Sequence, residues 1–264
     1  MSNKILLGVI GNPIKHSLSP QIHQQFAEQF GHVIDYQKYL VEAENLTSFI
    51  ENFFTQGGVG LNVTLPHKQH VIPLVDQLTD EARLAQSVNT LYKNTAGQLV
   101  GHTTDGQGVL LDLEQHGFAV ERKKLLVIGA GGASQSILVS LLKSGAEIRL
   151  LNRSQDKVTR LVERLQSVGN IQAFSEIEKF DGVISTISEF NASLLAPVAA
   201  CIDANTFCYD LNYAARAQAF YAFAKQSGCL RFADGLGMLL GQAAHAYQIW
   251  LGKLPDINRV KIAS

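Results

Sequence analysis

One string, Gly129-Ala130-Gly131-Gly132-Ala133-Ser134, constrains this chain more than any other, because of what flanks it. Before it lies the apolar strand candidate Leu125 to Ile128. After it comes a helical pattern carrying Ile137, Leu138, Leu141 and Leu142, closed by Gly145. Glycines between a strand and a helix permit a tight turn and a close approach of backbone to ligand. The helix then offers free N–H groups and the positive end of its dipole. That order describes a pyrophosphate-binding turn, with Gly129, Ala130, Gly131, Gly132 and Ala133 as its contacts. The third fingerprint position carries Ser134, small enough to pack although neither Gly nor Ala.

The end of the next strand candidate, Ile148 to Leu151, decides which dinucleotide fits. NAD-binding domains carry an acidic residue about 20 positions on, which bonds the ribose 2′-OH. Here Asn152-Arg153-Ser154 stands in that place, with Lys157 one turn later. A carboxylate would repel a 2′-phosphate, whereas a guanidinium grips it through two donors. NADP is therefore the expected cofactor, against the plainer reading of Arg153 and Lys157 as a solvated helix face.

Elsewhere, short apolar runs alternate with helical patterns, as in βαβ units with a largely parallel sheet. Ile5 to Ile10 is a strand. A helix follows from Ser19-Pro20, with Ser19 as N-cap, an apolar face of Ile22, Phe26 and Phe30, and Gly31 as its end. Residues 34–41 form a strand, and Leu46, Phe49, Ile50 and Phe53 mark a helix. Gly57-Gly58 turns into the strand 59–63, and Pro66 opens another helix at His67-Lys68. Two further strands, Val183 to Thr186 and Phe207 to Leu211, follow at α/β spacing. The pattern restarts past Asp105, which places a domain change near 101–106.

Lys plus Arg number 22 against 23 for Asp plus Glu, a formal net charge of −1. That balance offers no footprint for nucleic acid and no polybasic membrane patch. The apolar run from Leu125 to Leu142 is interrupted by the glycine turn and is no membrane span. Cys201, Cys208 and Cys229 lack CxxC spacing, and the N-terminus reads as a first strand without a cleavage site. A soluble protein in a reducing compartment, the cytoplasm, is expected. His67 and His70, and His102 ahead of Asp105, form no full ligand set, so no metal is expected.

Four polar strings carry the remaining chemistry: 11–23 (GNPIKHSLSPQIH), 62–68 (NVTLPHK), 87–90 (SVNT) with 103–108 (TTDGQG), and 234–244 (DGLGMLLGQAA). Ser17 and Ser19 flank a helix N-terminus, where two hydroxyls and the dipole suit a carboxylate, although Ser19 would also serve as a plain cap. Asn62, Thr64 and Lys68 end a buried strand, where open α/β sheets bind ligands. A helix N-terminus at Lys68 would disfavour its ammonium, and Asp105, if close, would favour it.

In this order, together with the glycine turn and the Asn-Arg-Ser string, these motifs resemble the shikimate dehydrogenase family along nearly the whole chain. The resemblance implies two α/β domains: a Rossmann-type NADP-binding domain at 103–237, and a substrate-binding and catalytic domain at 1–102 plus 238–264 with a mostly parallel sheet, with a cleft between them. It implies reversible NADPH-dependent reduction of 3-dehydroshikimate to shikimate, in aromatic amino-acid biosynthesis. Lys68 would supply the proton and Asp105 would orient the hydroxyl. Ser17 and Ser19 would hold the substrate carboxylate with Tyr213 nearby, while Thr64, Asn89, Asp105 and Gln242 read the ring hydroxyls. The implied cofactor contacts are the glycine turn, Asn152, Arg153, Ser154, Lys157, Leu211, Gly235 and Met238, with Asp80 reaching the cofactor from the other domain. A monomer or homodimer with a small-molecule substrate is expected.

The chain departs from the family pattern in several places. Gly-Ala-Val-Asn-Thr reads Gln86-Ser87-Val88-Asn89-Thr90, Asn-Thr-Asp reads Thr103-Thr104-Asp105, and Asn-Ala-Thr reads Ser185-Thr186-Ile187. The Pro and Thr usual after Tyr213 give way to Ala214-Ala215-Arg216-Ala217. Quinate remains an alternative substrate. A nucleotide-responsive binding protein of the same fold is a second alternative, opposed by the presence of both Lys68 and Asp105.

Overall fold

The computed structural model describes residues 4–262. The chain folds as two compact units, Met1–Gly108 with Leu240–Ser264, and Val109–Leu239. The first break falls a little later than the change of pattern near 101–106, inside a helix rather than in the loop before it.

Among the described residues, the first unit holds a six-stranded sheet. Its strands are β1 (Ile5–Gly11), β2 (Ile34–Leu40), β3 (Gly60–Val63), β4 (Gln77–Leu78), β5 (Thr90–Lys93) and β6 (Leu99–His102), in the order β2-β1-β3-β5-β6-β4. Pairing is parallel except at β5, which runs antiparallel to β3 and β6. The helices are α1 (Ser19–Phe30), α2 (Leu46–Thr55), α3 (Asp80–Ala85) and the start of α4 (Asp105–Gln115). Ile10, Leu61, Val63 and Leu91 of the sheet pack with Leu46, Ile50 and Phe53 of α2. A second group gathers His23 and Phe26 of α1, Tyr36 of β2, and Tyr247 and Trp250 from the last long helix. Trp250 lies so flat on β3 that a Cβ at Gly60 would collide with its indole. Each fully buried side chain of this kind stabilises the fold by roughly 1.5–3 kcal/mol.

Two local expectations are corrected. Pro66 opens no regular helix. Residues 65–71 form successive turns, with His67 N–H on Thr64 O at 3.0 Å and Val71 N–H on His67 O at 3.1 Å. A short 3-10 turn, Ile72–Leu74, follows, and its Pro73 lacks the N–H that a growing helix needs. The dipole argument for Lys68 falls with that helix. Ser19 likewise does not cap α1: the cap position is Leu18, and Ser17 Oγ accepts the Ser19 N–H at 3.3 Å.

The second unit is a parallel six-stranded sheet of β7 (Lys124–Ile128), β8 (Glu147–Leu151), β9 (Ile171–Ala173), β10 (Gly182–Ser185), β11 (Phe207–Asp210) and β12 (Arg231–Asp234). Its order, β9-β8-β7-β10-β11-β12, is the Rossmann order in which strand succession reverses between β7 and β10. Its helices are α5 (Gly132–Lys143), α6 (Gln155–Leu165), α7 (Ala192–Leu195) and α8 (Gln218–Gln226); α9 (Leu236–Leu251) carries the chain back to the first unit. Leu126, Ile128, Val183 and Cys208 pack against Phe220 and Ala224 of α8. The central strands β7, β10 and β11 are buried along nearly their whole length, as an all-parallel sheet covered on both faces requires, while β8, β9 and β12 are buried only in part.

Candidate active site

Reversal of β5 is what assembles the polar centre of the first unit. It brings the start of β5 beside the carboxyl ends of β3 and β6: Val63 N–H reaches Asn89 O at 2.8 Å, and Asn89 N–H reaches His102 O at 3.0 Å. Asn89, fixed by this ladder, donates from Nδ2 toward Asp105 Oδ1 (2.8 Å), Thr104 Oγ1 (2.9 Å) and Gln242 Oε1 of α9 (3.2 Å). Its Oδ1 accepts from Thr104 N–H at 2.9 Å and from the Thr90 hydroxyl at 2.8 Å. Asp105, the first residue of α4, turns its other oxygen to Lys68 Nζ at 2.5 Å. The two side chains are 5% and 16% exposed, so the pair is enclosed yet reachable on the lysine side. The main chain of Lys68 is fixed too, since its carbonyl accepts Val88 N–H at 2.8 Å.

A second polar group continues from Asn89. Asn62 Nδ2 donates to Asn89 O at 3.1 Å, and Asn62 Oδ1 accepts the Tyr36 hydroxyl at 2.7 Å. Burial raises the Tyr36 pKa well above its ordinary value, while the facing Ser19 hydroxyl opposes that rise. Ser17 Oγ donates to Ser19 Oγ at 3.1 Å. Thr64, next after β3, is held by its N–H on Ile10 O at 2.9 Å, and Gly11 leaves room for its methyl. The sequence pattern puts Asn62 at a ligand-binding strand end without giving it a role, and it does not single out Thr104 or Tyr36. The polar alternation of Asn62 and Thr64 was visible, but nothing in β2 distinguished Tyr36 from a core aromatic.

In the second unit the glycine turn sits at the reversal point. Gly129 has φ +115°, and a Cβ there would collide with Thr186 Oγ1 of the segment after β10. The Ser134 hydroxyl donates to Gly129 O at 2.7 Å, which gives the unusual third position a function in the turn. Gly131 and Gly132 differ from Gly129: a Cβ on either meets no protein atom within 4 Å. Packing within the protein does not require these two glycines, and the bare backbone they leave is what close approach of a pyrophosphate needs. Gln135 N–H makes the first bond of α5, to Gly131 O at 3.0 Å, so the preceding N–H groups face outward from the helix start. Asn152 Nδ2 bonds Ser154 O at 3.2 Å, while Arg153 and Lys157 are exposed and in no ion pair among the described residues. These groups fit a dinucleotide carrying a 2′-phosphate.

The remaining candidates are placed as follows. Gly235 packs so tightly on the Leu211 carbonyl that any Cβ would collide, and Met238 is buried in the first turn of α9. Tyr213 is half-buried where a 3-10 turn begins. Asp80 opens α3, exposed and paired with Arg83 Nη1 at 2.7 Å; no described contact joins it to the Lys68–Asp105 group. His67 is buried with Nε2 at 2.7 Å from Val41 O, a structural histidine. Among the described residues, no three His, Cys, Asp or Glu side chains gather as a metal site would require. No described helix is long and apolar enough to cross a membrane.

Comparison with known proteins bears on this arrangement. Residues 9–91 match the family model described as the shikimate dehydrogenase substrate binding domain, 112–196 that of shikimate / quinate 5-dehydrogenase, and 235–261 that of the shikimate 5′-dehydrogenase C-terminal domain. A shikimate dehydrogenase (NADP(+)) of Shewanella woodyi is 39% identical over 254 residues, covering 95% of this chain and 93% of the relative. The chain belongs to the shikimate dehydrogenase family.

Solved members of the shikimate dehydrogenase family share its fold throughout. The shikimate 5-dehydrogenase of Listeria monocytogenes, in complex with shikimate and NAD, is 26% identical with a TM-score of 0.88, covering 98% of this chain and 96% of that one. The Thermus thermophilus enzyme, in complex with NADP(H) and shikimate, is 27% identical with a TM-score of 0.85, covering 97% of each chain. Within this shikimate dehydrogenase family member, two departures from the usual pattern have visible consequences. Gln86 adopts φ +50°, a left-handed conformation at the end of α3 that the usual glycine would take without strain. Thr103 is buried with no partner for its hydroxyl.

Proposed function

We propose that this chain catalyses the reversible NADPH-dependent reduction of 3-dehydroshikimate to shikimate. The single observation that carries the reading is the Lys68–Asp105 pair, held by Asn89 at the joined ends of β3, β5 and β6. When bound, NADPH supplies the hydride that turns the ketone carbon into a carbinol carbon. Lys68 Nζ gives a proton to the oxygen on that carbon, and takes it back in the reverse direction. Asp105 holds the ammonium in place and accepts a hydrogen bond from the new hydroxyl. Proton transfer by a positioned side chain contributes typically ~10²–10⁴ in rate.

The other roles follow the chemistry of the groups. Ser17 and Ser19 hold the ring carboxylate, Thr64, Asn89 and Gln242 read ring hydroxyls, and Tyr213 adds a contact at the carboxylate end. Residues 129–133 hold the pyrophosphate, and Asn152, Arg153, Ser154 and Lys157 hold the 2′-phosphate. Leu211, Gly235, Met238 and Asp80 complete the dinucleotide contacts. Substrate chemistry is thus assigned to the first unit, with Tyr213 added from the second, and dinucleotide binding to the second, with Asp80 added from the first. The three cysteines are buried free thiols, which suits the reducing cytoplasm as the working location.

The test is oxidation of shikimate and of quinate, side by side, with NADP+ and NAD+, followed by absorbance of the reduced cofactor. Turnover of shikimate with NADP+ well above the other three combinations is expected. No turnover of shikimate with either cofactor would refute the reading, and faster turnover of quinate would move the enzyme to the sister activity.

A further inference from the structure

Ser185, Asp210 and Asn212 form a polar group in the second unit that none of the roles above uses. Ser185 ends β10 and Asp210 ends β11, paired with each other in register. Asp210 is 1% exposed, and its Oδ1 accepts twice from Asn212: from the main-chain N–H at 3.1 Å and from Nδ2 at 3.0 Å. The same Nδ2 donates to Ile187 O at 2.8 Å, so one amide ties the segment after β10 to the segment after β11. The Asn212 carbonyl accepts Gly235 N–H at 3.0 Å, which adds the segment after β12. Beside Asp210, the buried Ser185 Oγ lacks a well-formed hydrogen bond, in a small pocket that Asn212 and Arg216 also line.

We propose that Asp210 is the positioning residue of the dinucleotide site, its carboxylate acting through Asn212 to fix the backbone that presents Leu211, Tyr213 and Gly235. This rests on the reading that those residues meet NADP and substrate. An ionised carboxylate has no proton of its own, so both Asn212 donors can converge on one oxygen in charge-assisted bonds. A protonated carboxyl is a weaker acceptor and brings a donor where none is wanted. Burial pushes Asp210 up to about 6, Asn212 pulls the other way, and Asp234 from β12 adds to the rise. Arg216, from the segment after β11, is the cation of the pocket, and β10 contributes only the neutral Ser185. The tie is therefore complete above about 6 and loosens below it.

Titration of NADPH binding from about pH 8 to about pH 5, with wild type and Asn212→Ala in parallel, tests the proposal. The variant should bind about tenfold more weakly at the upper end, the size of one lost charge-assisted bond. That ratio should shrink as pH falls through about 6, because the wild type then loses the charge-assisted part of the tie and keeps only the bond to Ile187 O. Taking the ratio cancels the titration of the 2′-phosphate itself. Asp210→Asn is the second variant and should show the same convergence. A ratio that stays constant with pH, as a merely structural role would give, or that equals one throughout, would overturn the proposal. Failure of the wild type to bind NADPH at any pH would instead strike the proposed function.

Discussion

Asn89 Nδ2 stands 2.8 Å from Asp105 Oδ1, while Lys68 Nζ meets the second carboxylate oxygen. A carboxylate shared between a neutral amide and an ammonium has its plane fixed by two donors of different strength. The main chain that carries this amide is in turn fixed on both sides, by Val63 N–H on Asn89 O and by Asn89 N–H on His102 O. The carboxylate that receives the ammonium is thus anchored at the sheet, while Lys68 itself stands on the turns at 65–71.

Lys68→Ala should lower kcat by at least ~10² while NADPH binding is retained. Stopped turnover and a separate cofactor titration measure the two effects. Near-normal turnover in that variant would remove Lys68 from the chemistry.

The glycines of the turn should separate by role. Gly131→Ala adds a methyl that meets no protein atom, so the variant should melt like the wild type yet bind NADPH at least ~10-fold more weakly. Gly129→Ala forces a left-handed φ and a collision with Thr186, so it should lose stability as well as binding. Thermal melts beside binding curves test both; unimpaired NADPH binding by Gly131→Ala would contradict the pyrophosphate assignment.

Arg153 is exposed and has no ion-pair partner among the described residues. Arg153→Ala should raise KM for NADPH by ~10-fold or more, the order of one bidentate charge-assisted contact, and leave KM for NADH almost unchanged. Equal effects on both cofactors would place the guanidinium away from the 2′-phosphate.

His23 yields a stability prediction with a definite sign. The ring is buried against Tyr36 and Trp250, and burial lowers its pKa from 6.5 to about 3. Between those values the unfolded chain holds a proton that the folded chain refuses. Stability from this group is present above pH 6.5 and lost as pH falls, by about 1.4 kcal/mol per pH unit. His23→Phe should therefore lose about 2 kcal/mol less than wild type when urea unfolding is repeated near pH 5 instead of near pH 7. Identical losses in the two proteins would show that His23 does not titrate this way.

Legibility of the sequence followed the range of each interaction. The glycine turn and the strands around it are local, and the string from Leu125 to Leu142 is enough to read them. Lys68, Asp105, Asn89 and Gln242 were identified from separate strings, and the structure brings all four into one hydrogen-bonded group. What stayed hidden was the direction of β5. Its hairpin with β6 had a signal in Asn94 to Gln98, where Asn94 Oδ1 accepts two main-chain N–H groups and Gly97 takes φ +79°. Four-residue strands carry too little periodicity to set that signal against an overall βαβ rhythm. Pro66 suits a helix start and so predicts a helix at His67-Lys68, whereas Pro73 lacks the N–H that would let one grow, and residues 65–71 form turns. Tyr36 sits between Asp35 and Gln37 on β2 and Asp210 inside the apolar run 207–211, and only the fold shows which polar atom finds a buried partner.

Threading one strand backwards through an otherwise parallel sheet has a consequence for how this protein moves. Because Asn89 is an element of the sheet's own ladder, local fraying cannot displace it without parting β3 from β5. Segments that open easily belong to the low-stability end of a protein, and interior strands to the high end. The amide that orients Asp105 is therefore held in an interior layer of its unit, where opening requires the sheet itself to part.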